Sequence, residues 1–276
     1  MKTIYHFSGA GNDFVVIDGR EGDVSAFREV PRIEALCKDY KTDGLMILGS
    51  ALRQAQGPEV DFTMEFYNPD GSGGMMCGNG GRCIVAFADY LGIKPSCHPE
   101  LAEGSYLFMA PDGLHTGEIL ERPEDGLWTV RIQMIDVQGI TPMLGGYFLN
   151  TGTRHFVKFV DDVEQVDVDA EGKTLRWDPA FAPIGTNVNF VHVAPDGLHV
   201  RTFEKGVEGE TLACGTGLTA CALVAHHAGV PTATPGAYCL RARQDWLSVN
   251  FTPGPEDTFT NVYLTGPARL VGIKEG

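Results

Sequence analysis

Two stretches decide how this chain is read. The first is Cys77-Gly78-Asn79-Gly80-Gly81-Arg82-Cys83-Ile84-Val85-Ala86-Phe87-Ala88, and the second is Cys214-Gly215-Thr216-Gly217-Leu218-Thr219-Ala220-Cys221-Ala222-Leu223-Val224-Ala225. Each opens Cys-Gly-(Asn/Thr)-Gly and runs into an Ala-rich apolar segment that stops near a glycine, Gly92 in one and Gly229 in the other. Small residues followed by a glycine stop predict a buried helix whose N-terminus is the Gly-rich turn. The two cysteines stand 137 residues apart in a chain of 276. A duplicated domain is the economical explanation.

Outward from these helices the chain reads as strands. Asn12–Asp18, Glu59–Tyr67, Trp128–Ile135, Phe156–Val160, Asn187–Val193 and His199–Phe203 carry β-branched and aromatic alternation bounded by turn residues. Pro31–Tyr40 has the spacing of a short amphipathic helix. The expected class is α+β, with two sheets each wrapped against a largely apolar helix.

The bulk numbers agree and exclude some functions. A chain of this length can bury one large core or two moderate ones. Its formal charge is −15, from 36 acidic and 21 basic residues. Nucleic acid and anionic membrane both demand accumulated positive charge, so neither is an expected partner. The opening Met1-Lys2-Thr3-Ile4-Tyr5-His6-Phe7 has no apolar leader segment, and no apolar run reaches the length of a membrane span. The protein is therefore expected in the cytoplasm, where seven cysteines are more readily thiols than a disulfide framework. The sequence leaves a homodimer open without requiring one.

A cysteine at a helix N-terminus meets unsatisfied amides and the positive end of the macrodipole. Both lower the pKa of a thiol from about 8.5 toward roughly 3.5–7.5, so Cys77 and Cys214 are candidate thiolates. Their glycine neighbours let the backbone approach a ligand closely, and the exposed amides of both turns suit an α-carboxylate. Two such cysteines supply a base and its mirror image, which is what inversion at a carbon acid requires. One removes the α-proton and the other delivers a proton to the opposite face. An isolated buried cysteine is usually a small hydrophobe, and that reading is preferred for Cys37, Cys83, Cys97, Cys221 and Cys239. A structural zinc site or a thioredoxin-like pair would want Cys-x2-Cys, whereas the intervals here are Cys-x5-Cys and Cys-x6-Cys.

Two polar stretches, Ala51–Pro58 and Ser96–Ser105, show no packing face. A DNA segment encoding His98-Pro99-Glu100-Leu101-Ala102-Glu103-Gly104 can be chosen whose reverse complement encodes Leu52-Arg53-Gln54-Ala55-Gln56-Gly57. The expectation is two in-frame copies of one mobile repeat, inserted in opposite orientations into tolerant loops. Coincidence competes with it. Coding DNA lacking inverted complementarity between the two stretches would end the idea.

With these motifs in view the chain resembles the diaminopimelate epimerase family along nearly its whole length. Gly9-Ala10-Gly11-Asn12-Asp13-Phe14-Val15-Val16-Ile17-Asp18 resembles that family's N-terminal signature. Asn68-Pro69-Asp70-Gly71-Ser72 with Met76-Cys77-Gly78-Asn79-Gly80-Gly81-Arg82-Cys83 resembles its first catalytic motif. Gly185-Thr186-Asn187-Val188-Asn189-Phe190-Val191 and Glu204-Lys205-Gly206-Val207-Glu208-Gly209-Glu210-Thr211-Leu212-Ala213-Cys214-Gly215-Thr216-Gly217 resemble its second.

The resemblance implies two pseudo-symmetric domains, each a curled mixed or antiparallel sheet around a central helix. Residues 1–120 plus 264–276 would form the domain with Cys77, and residues 121–263 the domain with Cys214. It implies conversion of LL-2,6-diaminopimelate to the meso isomer, in lysine and cell-wall biosynthesis, with no pyridoxal phosphate and no metal. The partner is then a small amino-acid substrate. By position, Cys77 and Cys214 are the acid/base pair, and Gly78, Asn79, Gly215 and Thr216 hold the reacting α-carboxylate. Asn12, Asn68, Asn187 and Glu204 contact the rest of the substrate, and His155 and Glu204 flank the reacting centre.

Three departures bear on the substrate's far end. Lys205 stands where the family has Arg, and an ammonium lacks the bidentate fork of a guanidinium. Thr153-Arg154-His155 replaces Asn-Pro-His, which makes a distal donor a hydroxyl and leaves Arg154 either to supply charge or to be solvated. Tyr40-Lys41-Thr42-Asp43-Gly44-Leu45 is a shortened form of the family's Gly-rich segment. Two other readings compete: a proline or hydroxyproline racemase of the same two-cysteine fold, and a non-catalytic amino-acid-binding or redox-sensing protein.

Overall fold

The computed structural model describes residues 2–51, 59–74, 76–96 and 101–275. The insertions expected from the coding-strand relation fall largely on 52–58 and 97–100, outside the described residues, as does Cys97. The chain forms two compact units, Met1–Ile132 with Gly266–Gly276, and Gln133–Thr265.

In the first unit, β1 (Thr3–Gly9), β2 (Asn12–Asp18), β3 (Gly44–Gly49), β4 (Phe62–Tyr67), β5 (Ser105–Ala110), β6 (Gly113–Glu124) and β7 (Leu127–Gln133) are joined by the last part of β17 (Thr258–Glu275). The pairs β2/β3 and β4/β5 are parallel and the others antiparallel. β17 then pairs with both β7 and β1, so the ring of strands closes and, among the described residues, leaves no edge. Inside the ring lies α2 (Gly78–Tyr90), buried from Gly78 through Ala88. Outside, α1 (Val30–Tyr40) covers β2 and β3 through Ile33, Leu36 and Cys37 against Val15, Ile17, Leu45 and Ile47. Covered on both faces, β2 and β3 read as unbroken apolar runs rather than as alternation.

The second unit repeats this succession. It holds β8 (Val137–Gln138), β9 (Thr141–Met143), β10 (Gly146–Asn150), β11 (Arg154–Phe159), α3 (Val168–Arg176), β12 (Asn187–Ala194), β13 (Gly197–Glu204), β14 (Gly209–Thr211), α4 (Gly215–His227), β15 (Ala237–Arg241), β16 (Trp246–Pro253) and the first part of β17. β10/β11 is antiparallel, β11/β12 parallel, β12/β13 antiparallel, β13/β15 parallel and β15/β16 antiparallel. α4 is the inner helix, and α3 packs outside, with Val168 in a cluster with Phe156, Val188, Phe190 and Phe203. Each unit is thus a curled mixed sheet around an apolar helix, with a second helix on its outer face.

Both inner helices end in the same cap. Ile93 N–H reaches the Ala88 carbonyl at 3.0 Å and Val230 N–H reaches that of Ala225 at 2.9 Å, with Gly92 and Gly229 left-handed at φ 73° and 71°. The strand expected from Glu59 starts at Phe62 instead. The Asp61 carboxylate is committed to two backbone amides, Ser96 at 2.7 Å and Leu107 at 2.8 Å. β7 is drawn into the first unit by its pairing with β6 and with residues 266–269. Cys83 and Cys221 are fully buried inside the inner helices, where burial raises both thiols well above their ordinary range, and Cys37 is buried on the face of α1 turned to β2 and β3. Cys239 corrects the core reading: it lies exposed on β15. Among the described residues no helix is long and apolar enough to cross a membrane.

Candidate functional site

In the first unit Cys77 is the N-cap of α2, with extended backbone at φ −97° and ψ 150°, and its Sγ accepts the Gly80 N–H at 3.2 Å. That is the position in which an N-cap side chain satisfies an orphan amide of the first turn. The backbone carbonyl of Cys77 takes the Gly81 N–H at 2.8 Å. Behind the turn runs an ordered chain of polar groups. Arg82, fully buried, donates to the Gly78 carbonyl at 3.3 Å, to Asn79 Oδ1 at 2.8 Å and to the Pro267 carbonyl at 3.3 Å. Asn79 Nδ2 donates to Asn12 Oδ1, and Asn12 Nδ2 donates to Asp43 Oδ2 at 3.2 Å, which also takes the Asp13 N–H at 2.9 Å. Gly9 permits this approach of β1 to α2, since a Cβ there would stand 2.8 Å from the Asn79 carbonyl oxygen.

Asn68 opens the loop that follows β4. Its N–H donates to the Ser72 carbonyl at 2.9 Å and its Nδ2 to Ser72 Oγ at 3.0 Å. The turn Asn68–Ser72 is therefore a preset structure leading toward Cys77.

In the second unit Cys214 is the N-cap of α4 and only 8% exposed. Its Sγ stands 3.5 Å from Thr216 Oγ1, and no cap bond to the helix amides involves its side chain. Thr216 Oγ1 lies 3.0 Å from His155 Nε2 and 3.3 Å from Thr153 Oγ1, and the Thr216 carbonyl accepts the Thr151 hydroxyl at 2.9 Å. Thr153 Oγ1 is 2.9 Å from the same His155 nitrogen and accepts from Asn187 Nδ2 at 3.3 Å. Asn187 also donates to the Arg154 carbonyl at 2.9 Å, and its Oδ1 takes the Lys205 N–H at 2.8 Å. His155 is fully buried, and burial alone pushes its pKa down to about 3, so it is a neutral imidazole at ordinary pH.

The second unit thus brings together Thr153, His155, Asn187, Cys214 and Thr216, with the Lys205 backbone, in one network. Glu204 is the last residue of β13 and its carbonyl accepts the Glu208 N–H at 2.8 Å. The first unit brings together Asn12, Gly78 and Asn79 at the start of α2, with Asn68 on the preceding turn. Arg154 neither supplies charge to this network nor is simply solvated. Its guanidinium lies 5.1 Å over the Phe148 ring and donates to the Phe181 carbonyl at 3.1 Å.

Three residues of these networks, Arg82, Asp43 and Asn189, are not among the candidates the sequence offers. Arg82 carried a signal, being the one charged side chain early in an apolar helix. Asn189 carried one too, because it follows Asn187 at the two-residue period of a strand, and both amides fall on the face toward α4. Asp43 had no signal beyond its turn. Among the described residues no group of three or more His, Cys, Asp or Glu is arranged to hold a metal ion.

The family model described as diaminopimelate epimerase matches residues 4–109 and 147–241, which include both cysteines. The chain is 37% identical over 273 residues to the diaminopimelate epimerase of Chlorobaculum tepidum, covering 96% of this chain and 97% of that one. Among solved structures it is similar to a phenazine biosynthesis protein of the PhzF family from Bacillus anthracis, with TM-score 0.74 and 11% identity over 100% of this chain and 98% of the other. It is also similar to a probable proline racemase from Agrobacterium radiobacter with bound carbonate, with TM-score 0.64 and 15% identity over 100% and 93%. At such identities the last two likenesses speak for the fold alone.

Proposed function

The chain belongs to the diaminopimelate epimerase family, and from that premise we propose that it interconverts LL- and meso-2,6-diaminopimelate by a two-base proton exchange in which Cys77 and Cys214 are acid and base. The carrying observation is that each unit places a cysteine as the N-cap of its inner helix, followed by Gly-polar-Gly.

In each turnover the thiolate of one cysteine takes the α-proton. The Cα–H bond breaks and its electron pair stays on the α-carbon, delocalised toward the α-carboxylate. The thiol of the other cysteine then gives its proton to the opposite face and is left as the thiolate. No net proton is gained, and the two residues have exchanged states, ready for the reverse reaction. Amides at the two helix starts, at Gly78 and Asn79 and at Gly215 and Thr216, are the donors for the carboxylate as charge develops on it. Asn12, Asn68, Thr153, Asn187, Glu204 and Lys205 are assigned to the rest of the substrate, with Lys205 as the countercharge of the distal carboxylate. His155 and Glu204 flank the reacting centre. The place of action is the cytoplasm, in lysine and cell-wall precursor synthesis.

The test is incubation of diaminopimelate with the enzyme in deuterium oxide. Conversion of the LL to the meso isomer with deuterium entering the α-position is expected. Binding without exchange would replace this reading with a non-catalytic one, and exchange into proline but not diaminopimelate would replace it with a racemase.

A further inference from the structure

His155 is held at both ring nitrogens, and the side-chain amide of Asn189 sets which of them carries the proton. Asn189 Nδ2 donates to the Phe156 carbonyl at 3.0 Å, and its Oδ1 accepts the Thr202 hydroxyl at 3.0 Å. A flipped amide would set its oxygen against the Phe156 oxygen, so it is the nitrogen that faces His155 Nδ1, at 3.1 Å. An NH2 group only donates. His155 Nδ1 is therefore the bare acceptor, and the single proton of the neutral ring sits on Nε2.

That proton points at the hydroxyl oxygens of Thr153 and Thr216, 2.9 and 3.0 Å away. Asn187 is fixed in the same manner. Its oxygen is taken by the Lys205 N–H and its nitrogen donates to the Arg154 carbonyl, so toward Thr153 it too can only donate. The Thr153 oxygen accepts hydrogen bonds from His155 and Asn187, which leaves its own O–H to Thr216 Oγ1 at 3.3 Å, and the Thr216 hydroxyl has Cys214 Sγ at 3.5 Å to accept its own.

We propose that Asn189 is a positioning residue for Cys214: by fixing His155 as the Nε2–H tautomer it directs the Thr216 hydroxyl to donate to the Cys214 sulfur. His155 on this account orients a hydrogen bond and exchanges no proton with substrate. The consequence for activity rests on Cys214 acting as acid and base as proposed above, whereas the tautomer does not.

Nitrogen-resolved NMR of 15N-labelled wild-type protein at pH 7, without substrate, reads the tautomer directly. A protonated Nε2 and a bare Nδ1 on His155 are expected. A proton on Nδ1, alone or with one on Nε2, overturns the proposal whatever the protein's activity. Asn189→Asp replaces the donor by a carboxylate that can only accept. It is expected to draw a proton to Nδ1 and to lower kcat/KM by about 10–100-fold, the range of one hydrogen bond to a charged acceptor. Full activity in an Asn189→Asp protein whose Nδ1 is protonated overturns the proposal as well. Should that variant fail to fold, the wild-type spectrum still decides.

Discussion

The two units run through the same succession of strands and set a cysteine at the same helix position, yet they hold its sulfur by different means. Cys77 Sγ takes a backbone amide of its own helix, Gly80 N–H at 3.2 Å, and the turn is braced by a fully buried cation, Arg82. Cys214 Sγ takes no helix amide as a cap, and its neighbour is the Thr216 hydroxyl, backed by a neutral histidine and two oriented amides. At the position of Arg82 the second helix has Thr219, buried, whose hydroxyl donates to the Gly215 carbonyl at 3.0 Å. The two units share the helix start and the small residues that the sheet interior requires. The groups around each sulfur differ. The two cysteines are therefore alike in placement and unlike in electrostatic support, one through a backbone amide and a permanent charge, the other through a relay of neutral donors.

The largest effect expected tests the likeness. Cys77→Ala and Cys214→Ala should each lower kcat/KM by about 10²–10⁴-fold, the range of a lost general acid or base, in steady-state assays with diaminopimelate. A loss confined to one of them would break the equivalence of the two positions.

A second contrast concerns the equivalent glycines Gly80 and Gly217. A Cβ at Gly217 would stand 2.4 Å from Asn189 Oδ1, while one at Gly80 would meet Cys77 Sγ at 3.2 Å and Met46 Sδ at 3.4 Å. Gly217→Ala must displace the amide that orients His155. It should cost about 2–3 kcal/mol in urea unfolding, the range of overpacking together with a disturbed buried hydrogen bond. Gly80→Ala should cost less than half as much, because its neighbours are sulfur atoms of side chains that can yield. Equal costs would remove the asymmetry.

Acid should also reach the second unit through His155. Its folded pKa is near 3, below the ordinary 6.5 of the unfolded chain. Between those values the unfolded state binds the extra proton. The histidine therefore has no effect on stability above about pH 6.5 and favours unfolding increasingly as pH falls toward 3. Unfolding free energies measured at pH 7 and pH 5 should fall with acid in the wild type, and His155→Asn should fall less steeply. An equal slope in both would place the acid sensitivity elsewhere. The smallest effect expected is at the distal end of the substrate, where Lys205→Arg should keep or lower KM for diaminopimelate. A large rise would show a site built for another substrate.

Much of this was legible beforehand, for identifiable reasons. The Cys-Gly-polar-Gly starts, the alanine runs and the glycine stops report local requirements: close backbone approach, small side chains inside a curled sheet and a left-handed cap. All three appear as expected in α2 and α4. The strand in Asn12–Asp18 was legible because its apolar run is covered on both faces, by α1 outside and α2 inside. What the pattern did not yield depends on long-range contacts. Asp61 shortens β4 because it serves amides 35 and 46 residues away. Arg154 looked like a loose cation because nothing local shows that it will lie over Phe148 and reach the Phe181 carbonyl. Asn189 was within the quoted motif but its purpose was not, since the bond that gives it meaning runs to His155, 34 residues earlier.

The central claim is that one cysteine removes the α-proton and the other returns one to the opposite face. It is tested most directly by following deuterium from solvent into the α-position of each isomer separately, with wild type, Cys77→Ala and Cys214→Ala. The account predicts that wild type labels both isomers. Each variant should lose interconversion, and any residual exchange it keeps should be confined to one isomer, a different isomer for each variant. Interconversion with α-deuterium incorporation at the wild-type rate in either variant would contradict it.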